Sequence, residues 1–479
     1  MYRLIHSLRH VLTLTLALSS IFCALAADAR PNILFAIADD WSWPHAGVYG
    51  DTCVKTPTFD RIAKEGVLFK NSFCAAPSCT PSRAAVLAGR PVHALKDTGN
   101  LWSVLPADFV GYPERLEKEG YVIGLQGKGW APGSIGDHKR NPAGPNFKSF
   151  KEFLDTVPKD KPFCFWYGSR DPHRPYVKDQ GIQSGMKLED VKVPPFLPDT
   201  PEVRGDILDY FFAVQRYDRD TGEMVKLLEE RGLLDNTIVV MTSDNGMPFP
   251  RAKANVYDSG THMPLAVRWP AKVKGGRVVE DFVSHCDFAP TFLDVAGLKA
   301  PPEMSGHSLL PLLFGTVSAD ELAERGTVYV ERERHANVRK GDLSYPCRAI
   351  HTKDFLYIWN ARPDRWPAGD PQMWKAVGDY GDIDDGPSKQ LIMKQAKSPE
   401  IEKFARMALE KRPGEELFDL KKDPEQFFNV ADDTQYAETK KKLRAQLEKW
   451  MKNTDDPRAN GDTDIFDTYH YVTQPDKGK

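Results

Sequence analysis

Asn32-Ile33-Leu34-Phe35-Ala36-Ile37-Ala38 is an unbroken apolar run closed at once by Asp39-Asp40. A strand with one face in water alternates. A strand apolar at every position is buried on both faces, as in the interior of a parallel sheet covered by helices. The same grammar recurs along the chain. Residues 121–126 run into Gly127-Lys128-Gly129, Phe163-Cys164-Phe165-Trp166-Tyr167 into Arg170-Asp171-Pro172-His173-Arg174-Pro175, and residues 237–242 into Ser243-Asp244-Asn245-Gly246. Helical stretches separate them: residues 57–64 closed by Gly66, 112–119 closed by Gly120, and 207–231 closed by Gly232, with a further strand at 67–72 and a Pro-rich loop at 191–202. Strands alternating with helices over residues 32–245 predict an α/β fold, a large mostly parallel sheet sandwiched by helices. Right-handed crossovers bring the carboxyl ends of such strands to one edge, where ligands bind. Each polar cluster follows a strand, so the clusters are expected to meet there.

The stretch Ser78-Cys79-Thr80-Pro81-Ser82-Arg83, running on to Gly89-Arg90, reads as a helix start. Thr80 suits the N-cap, Pro81 the first helical position and Gly89 the residue past the end. Cys79 is then placed just ahead of a helix N-terminus, where unpaired N–H groups and the helix dipole favour an anion, with Arg83 one turn away. Taken alone, a cysteine at such a place is a buried structural thiol; what the rest of the chain supplies turns the reading towards a nucleophile.

Asp39, Asp40, Asp244 and Asn245 offer only oxygen ligands, which suit a hard cation such as calcium or magnesium rather than zinc. Lys128 lies between glycines that let the backbone approach closely. His173 is a candidate general acid for a leaving group. Lys253, nine residues beyond Asp244, is within reach of the same anion through a folded loop.

The chain has 479 residues and a formal net charge of −3. Residues 1–27 read as a secretory signal: Arg3 and Arg9, an apolar run over 11–21, and the small-x-small site Ala24-Leu25-Ala26. Losing those two arginines takes the charge from −3 to −5, and neither value suits nucleic-acid binding. The apolar run is short for a membrane span and no other stretch is a candidate. Export to a periplasm or the outside follows, with a domain over 28–340 and a smaller α+β C-terminal subdomain over 341–479, whose strands lie at 348–360 and 416–420 and whose charged amphipathic helix covers 435–451. Of seven cysteines, Cys23 leaves with the signal; Cys53, Cys74, Cys164, Cys286 and Cys347 allow at most two disulfides beside Cys79.

Cys79-x-Pro81-x-Arg83 ahead of a small-residue helix, with the acidic clusters, Lys128, His173 and Lys253, resembles the type I sulfatases of the alkaline phosphatase superfamily over nearly the whole chain. The resemblance implies that a separate maturation enzyme oxidises Cys79 to formylglycine and that the hydrate attacks sulfur. It implies one calcium ion on Asp39, Asp40, Asp244 and Asn245, Arg83 orienting residue 79, Lys128 and Lys253 clamping sulfate, and His173 facing the leaving group; the sulfated residue then loses sulfate and returns to the aldehyde. Residues 243–250, 193–201, Asp171-Pro172-His173-Arg174 and Leu343-Ser344-Tyr345-Pro346 resemble the heparan N-sulfatase (sulfamidase) branch. One departure stands out. The family usually has a histidine two residues after the lysine, and here that position is Trp130, with His138 and His45 as the nearby replacements.

For the substrate, a sulfated saccharide, Arg174, Arg334 and His335 are candidate contacts, while the run Glu331-Arg332-Glu333-Arg334 reads as a solvated face. Trp102, Trp130 and Trp366 are either sugar platforms or packing. The leading expectation is a secreted sulfatase acting on N-sulfoglucosamine. The alternatives are an O-sulfatase on another polysaccharide such as an algal glycan, a phosphodiesterase or phosphonate hydrolase of the superfamily, and a non-catalytic glycan-binding relative.

Overall fold

The computed structural model describes residues 30–472 except Ala376, Asp462 and Thr463; the expected signal segment, with Cys23, lies outside them. The main sheet takes strands β1 (Asn32–Ala38), β2 (Val67–Phe73), β4 (Val122–Gly127), β6 (Phe163–Gly168), β7 (Thr237–Ser243), β8 (His262–Arg268) and β9 (Arg277–Ser284); β3 (Ser103–Val104) and β5 (Gly133–Ser134) form a short separate pair. The order is β4-β6-β1-β7-β8-β2-β9, and only β8 runs antiparallel to its neighbours. The mostly parallel sheet expected from the apolar runs is therefore what the chain builds.

β1 sits near the middle, in register with β6 (Ile37 beside Gly168) and β7 (Ala38 beside Ser243). Its residues alternate between two separate cores. Leu34, Ala36 and Ala38 join the core under the long helix Pro201–Glu230. Ile33, Phe35 and Ile37 join the core under the helices Cys79–Ala88 and Phe288–Val295. Phe35 packs 4.9 Å from the Trp166 ring and 5.2 Å from Phe288. Each such side chain contributes about 1.5–3 kcal/mol on burial, which is why the strand has no polar position between Asn32 and Asp39.

The second sheet is antiparallel, β10 (Thr327–Arg332), β11 (Cys347–Thr352), β12 (Phe355–Asn360) and β13 (Glu415–Asp419), in that order. Helix Ala437–Asn453 covers one face through Leu443, Leu447 and Met451 against Ile350, Tyr357 and Leu417. Its first strand comes from residues on the near side of the expected division at 341. The run Glu331–Arg334, expected to face solvent, is buried throughout. All six described cysteines are free and buried, so no disulfide forms among the described residues. The long helix begins at Pro201 rather than near 207: Thr200 accepts a hydrogen bond from the Val203 amide, and Pro201 suits the first turn.

Candidate active site

Three strand ends are stitched together at the carboxyl edge. The Asp244 amide donates to the Ala38 carbonyl (3.2 Å), the Ser169 amide to Ile37 (3.0 Å) and the Asp39 amide to Asp171 (3.0 Å). The Asp40 amide donates to Asp244 Oδ1 (3.1 Å) and the Trp41 amide to Ser243 Oγ (2.7 Å). Asp40 adopts φ 79°, a left-handed conformation uncommon for residues other than glycine; it turns the chain off the strand at the point where two successive carboxylates face one space. Lys128 reaches this edge because β4 and β6 end in glycines that nearly touch. The Lys128 amide donates to the Gly168 carbonyl at 2.7 Å, and a Cβ on Gly168 would lie 1.7 Å from the Lys128 carbonyl oxygen.

Helix Cys79–Ala88 is buried at every residue and ends at Gly89 in the left-handed region, φ 65°. It starts two residues earlier than expected. Ser78 occupies the N-cap without a side-chain capping bond, Cys79 is the first helical residue, and the Thr80 hydroxyl donates to the Pro132 carbonyl instead (2.6 Å). The Cys79 thiol is 3.4 Å from Asp39 Oδ1. Burial raises its pKa well above the ordinary value, with Asp39 and Asp244 adding to the effect and Lys128 and Lys253 opposing it. Arg83, fully buried, donates through Nε to Asp244 Oδ2 (2.7 Å) and through Nη1 to the Lys128 carbonyl (2.6 Å). It ties the helix to both strand ends.

The lysines meet the aspartates. Lys128 Nζ donates to both Asp39 oxygens (2.7 and 2.8 Å), and Lys253 Nζ to Asp40 Oδ2 (2.8 Å) and Asp384 Oδ2 (3.0 Å). His173 Nε2 lies 3.9 Å from Asp40 Oδ2, and its Nδ1 lies 2.5 Å from the Arg174 carbonyl oxygen. Burial alone would raise the Asp39 carboxyl, but Lys128, His173, Arg83 and Lys253 together hold it well below the usual range. Asp244 goes the other way, pushed up to about 6 by burial and by the Asp39 and Asp40 carboxylates against the pull of Arg83 and Lys128. A divalent cation placed among these carboxylates would favour the ionised form.

The residues fit such a cation on a second count. Ligand atoms of Asp39, Asp40, Asp244 and Cys79 lie within 4.8 Å of one another. The Asn245 amide donates through Nδ2 to Asp40 Oδ1 (2.7 Å), while its Oδ1 is buried without a hydrogen-bond partner. A buried carbonyl oxygen left unpaired is costly, and three carboxylates beside it complete an all-oxygen ligand set suited to a hard divalent ion.

The expected site residues divide. Asp39, Asp40, Cys79, Arg83, Lys128, His173, Asp244, Asn245 and Lys253 come together. His335 stands beside them, its Nδ1 2.8 Å from Ser78 Oγ; burial pushes its pKa down to about 4. Arg174 and Arg334 are engaged elsewhere. Arg174 grips Asp206 with two bonds (2.7 and 2.8 Å) and stacks on Tyr176 and Phe249, and Arg334 donates to the Asp342 and Tyr469 carbonyls. Neither expected histidine replacement is there: His138 bonds the Pro106 carbonyl and His45 the Tyr210 hydroxyl. Trp130 lies in the core, its side chain turned among apolar residues. Asp384 was not legible from the sequence, since it belongs to an acidic loop with no strand or helix ahead of it to mark an edge.

Residues 31–133 and 142–298 match the family described as Sulfatase, and residues 251–373 the one described as N-sulphoglucosamine sulphohydrolase, C-terminal. The chain is 30% identical to N-sulphoglucosamine sulphohydrolase of Homo sapiens over 90% of this chain and 91% of that protein. It is 29% identical to an ulvan-active sulfatase of Formosa agariphila over 89% of this chain and 81% of the relative. A solved structure described as a complex with its substrate D-glucosamine-2-N,6-O-disulfate shares the fold, with a TM-score of 0.63 at 22% identity over 89% of this chain and 98% of the other.

Proposed function

This chain belongs to the sulfatase family of sulfuric ester hydrolases, and from that premise we propose that it is an exported N-sulfatase releasing sulfate from N-sulfoglucosamine units of a glycan. The observation that carries the N-sulfate reading is the match of residues 251–373 to the C-terminal region of N-sulphoglucosamine sulphohydrolase, the same stretch that supplies Lys253 and His335. Export rests on the signal-like segment 1–27; no helix among the described residues is long and apolar enough to cross a membrane.

Oxidised to formylglycine by a separate maturation enzyme, residue 79 would supply a hydrated aldehyde whose oxygen is the nucleophile towards sulfur. A calcium ion on Asp39, Asp40, Asp244 and Asn245 would supply positive charge beside the sulfuryl oxygens. The chain's own residues do the rest. Lys128 and Lys253 flank Cys79 with ammonium groups that can leave their aspartates for sulfate oxygens. The N-terminus of helix Cys79–Ala88 adds N–H groups aimed at the same place, a preorganised field for charge that grows as the bond to sulfur breaks. Arg83 keeps residue 79 fixed against Asp244 and the Lys128 carbonyl. His173, partly open to solvent, stands where a leaving group would depart and is placed to give it a proton.

A second reading is favoured by the ulvan-active relative, which matches almost as well as the human one: an O-sulfatase on another sulfated polysaccharide, such as an algal glycan, using the same site. The experiment uses protein matured so that residue 79 is formylglycine, checked by peptide mass. It is offered N-sulfoglucosamine and 6-O-sulfated N-acetylglucosamine with calcium. Sulfate release from the first, with a free amine appearing, is the expected result. Release from the O-sulfated sugar alone would replace the N-sulfate reading by the second one.

A further inference from the structure

Asp384 is the one acid at this site that stands apart from the cation cluster. Asp39, Asp40 and Asp244 group with Cys79, whereas Asp384 groups with His173 and Asp40, their ligand atoms within 4.8 Å of one another. Its side chain is 25% exposed and that of His173 36%, against 3% or less for the other three acids. Asp384 and His173 therefore lie on the open side of the site, where the leaving group of a bound sulfate would lie. The position of Asp384 is set from both flanks. Asp382 is buried between Arg332 (2.6 Å) and Arg339 (2.5 Å) and accepts from the Ala336 amide (2.9 Å). The Ile383 carbonyl accepts from Lys389 Nζ (2.8 Å), and Asp384 itself accepts from Lys253 (3.0 Å).

The chemistry of the two candidate substrates differs at one atom. A sulfate ester joins sulfur to an oxygen that has only lone pairs, while a sulfamate joins it to a nitrogen that carries a hydrogen. A carboxylate beside the leaving atom accepts a hydrogen bond from the N–H and meets the ester oxygen lone pair against lone pair. We propose that Asp384 reads this hydrogen and is the residue that selects N-sulfate over O-sulfate. The inference rests on the N-sulfate reading above. Sites built to hydrogen-bond a substrate N–H or O–H discriminate against the analogue lacking it; Asp384 is partly open to solvent and keeps Lys253 as a partner, so its discrimination is smaller than that of a sealed acceptor.

The test compares matured wild type with Asp384→Ala and Asp384→Asn on N-sulfoglucosamine and on 6-O-sulfated N-acetylglucosamine, reading kcat/KM for each and inhibition by inorganic sulfate. The expected result is a fall of about a hundredfold in the N-to-O ratio for the alanine variant, with a smaller fall for asparagine, whose carbonyl still accepts. Sulfate has no N–H, so its inhibition should hold or tighten once the carboxylate is gone. A ratio that stays put while both activities fall together, or weakened sulfate inhibition, would mean that Asp384 only aims Lys253, and would overturn the proposal while leaving the N-sulfatase reading intact. A wild type that acts only on the O-sulfated sugar removes both. Thermal unfolding of each variant separates loss of fold from loss of selectivity, and the ratio is itself insensitive to the fraction folded.

Discussion

Among the described residues, two of the clusters of buried opposite charge are built differently. Behind the second sheet, Arg348 bonds Asp456 (2.6 Å), Glu333 (2.8 Å) and Glu331 (3.3 Å); Arg458 grips Glu333, and His93 bonds Glu331 (2.7 Å) and the Thr454 carbonyl. Three carboxylates meet two guanidinium groups and an imidazole, and all six side chains are closed to solvent. At the carboxyl edge of the main sheet the cations are chiefly lysines, compact charges on flexible stems rather than rigid forks. One oxygen, Asn245 Oδ1, has no partner, and Lys128, His173 and Asp384 are open to solvent by 13, 36 and 25%. The first, the lower cluster, pairs each charged group within the chain, although Arg458 Nη1 has no hydrogen-bond partner, and it holds the C-terminal helix region to β10 and β11. The second, the upper cluster, leaves a buried carbonyl oxygen unpaired at a place open to solvent, and its ion-paired lysines stand on flexible stems that can turn to another anion. Buried charge alone does not mark a site; an unfilled valence together with a way in does.

The sharpest way to break this contrast is Cys79→Ala. Sulfate release should fall by about 10⁴-fold or more, as when a nucleophile is removed, while stability changes by no more than about 1 kcal/mol because the thiol makes one long contact. Sulfate assay and denaturant unfolding on one preparation check both halves. Ion removal comes next. If the upper cluster is short of a cation, chelation should abolish most activity, calcium should restore it, and the unfolding midpoint should rise with calcium, by about 2.7 kcal/mol of stabilisation at an ion concentration a hundred times the dissociation constant. A midpoint indifferent to calcium would make the upper cluster as self-sufficient as the lower. Arg348→Ala should do the reverse: a loss of about 3–5 kcal/mol from removing the guanidinium shared by three buried carboxylates, of which Glu333 keeps Arg458 and Glu331 keeps His93, with kcat/KM per folded molecule unchanged.

The contrast also explains what the sequence could tell. Much of the upper cluster is legible because these members follow a strand: Asp39-Asp40 after β1, Lys128 after β4, His173 after β6, Asp244-Asn245 after β7. A periodic pattern places an edge, and chemistry at an edge converges. The lower cluster is not legible because the alternating run Glu331-Arg332-Glu333-Arg334 at and just beyond the end of β10 reads as surface, and its partners Asp456 and Arg458 lie more than a hundred residues away. Asp384 is not legible for a related reason, since only the fold brings a coil residue to Lys253. Arg174 sat in the right motif, but its guanidinium is taken by Asp206, a partner no local pattern announces. The helix at 79 is legible with its start displaced by two residues, because Thr80-Pro81 carries cap-like residues while Ser78 holds the cap position.

The smallest effect belongs to His93. Burial lowers its pKa, but Glu331 and Asp456 outweigh burial and the repulsion of Arg348, so the folded value lies above the ordinary 6.5. A histidine with a raised folded pKa binds its proton more tightly in the native state, so its contribution to stability is fully present below about pH 6.5 and is lost as pH climbs through the folded value. Unfolding free energy should therefore decline on the alkaline side of that window in wild type. His93→Gln should flatten that decline and cost stability chiefly at low pH, less than Arg348→Ala because fewer ion pairs depend on it. If the wild-type curve and the His93→Gln curve run parallel from pH 6 to 9, His93 is held neutral and the lower cluster is a two-guanidinium network. Its third carboxylate would then be matched by hydrogen bonds alone, which would move it closer in kind to the upper cluster than its burial suggests.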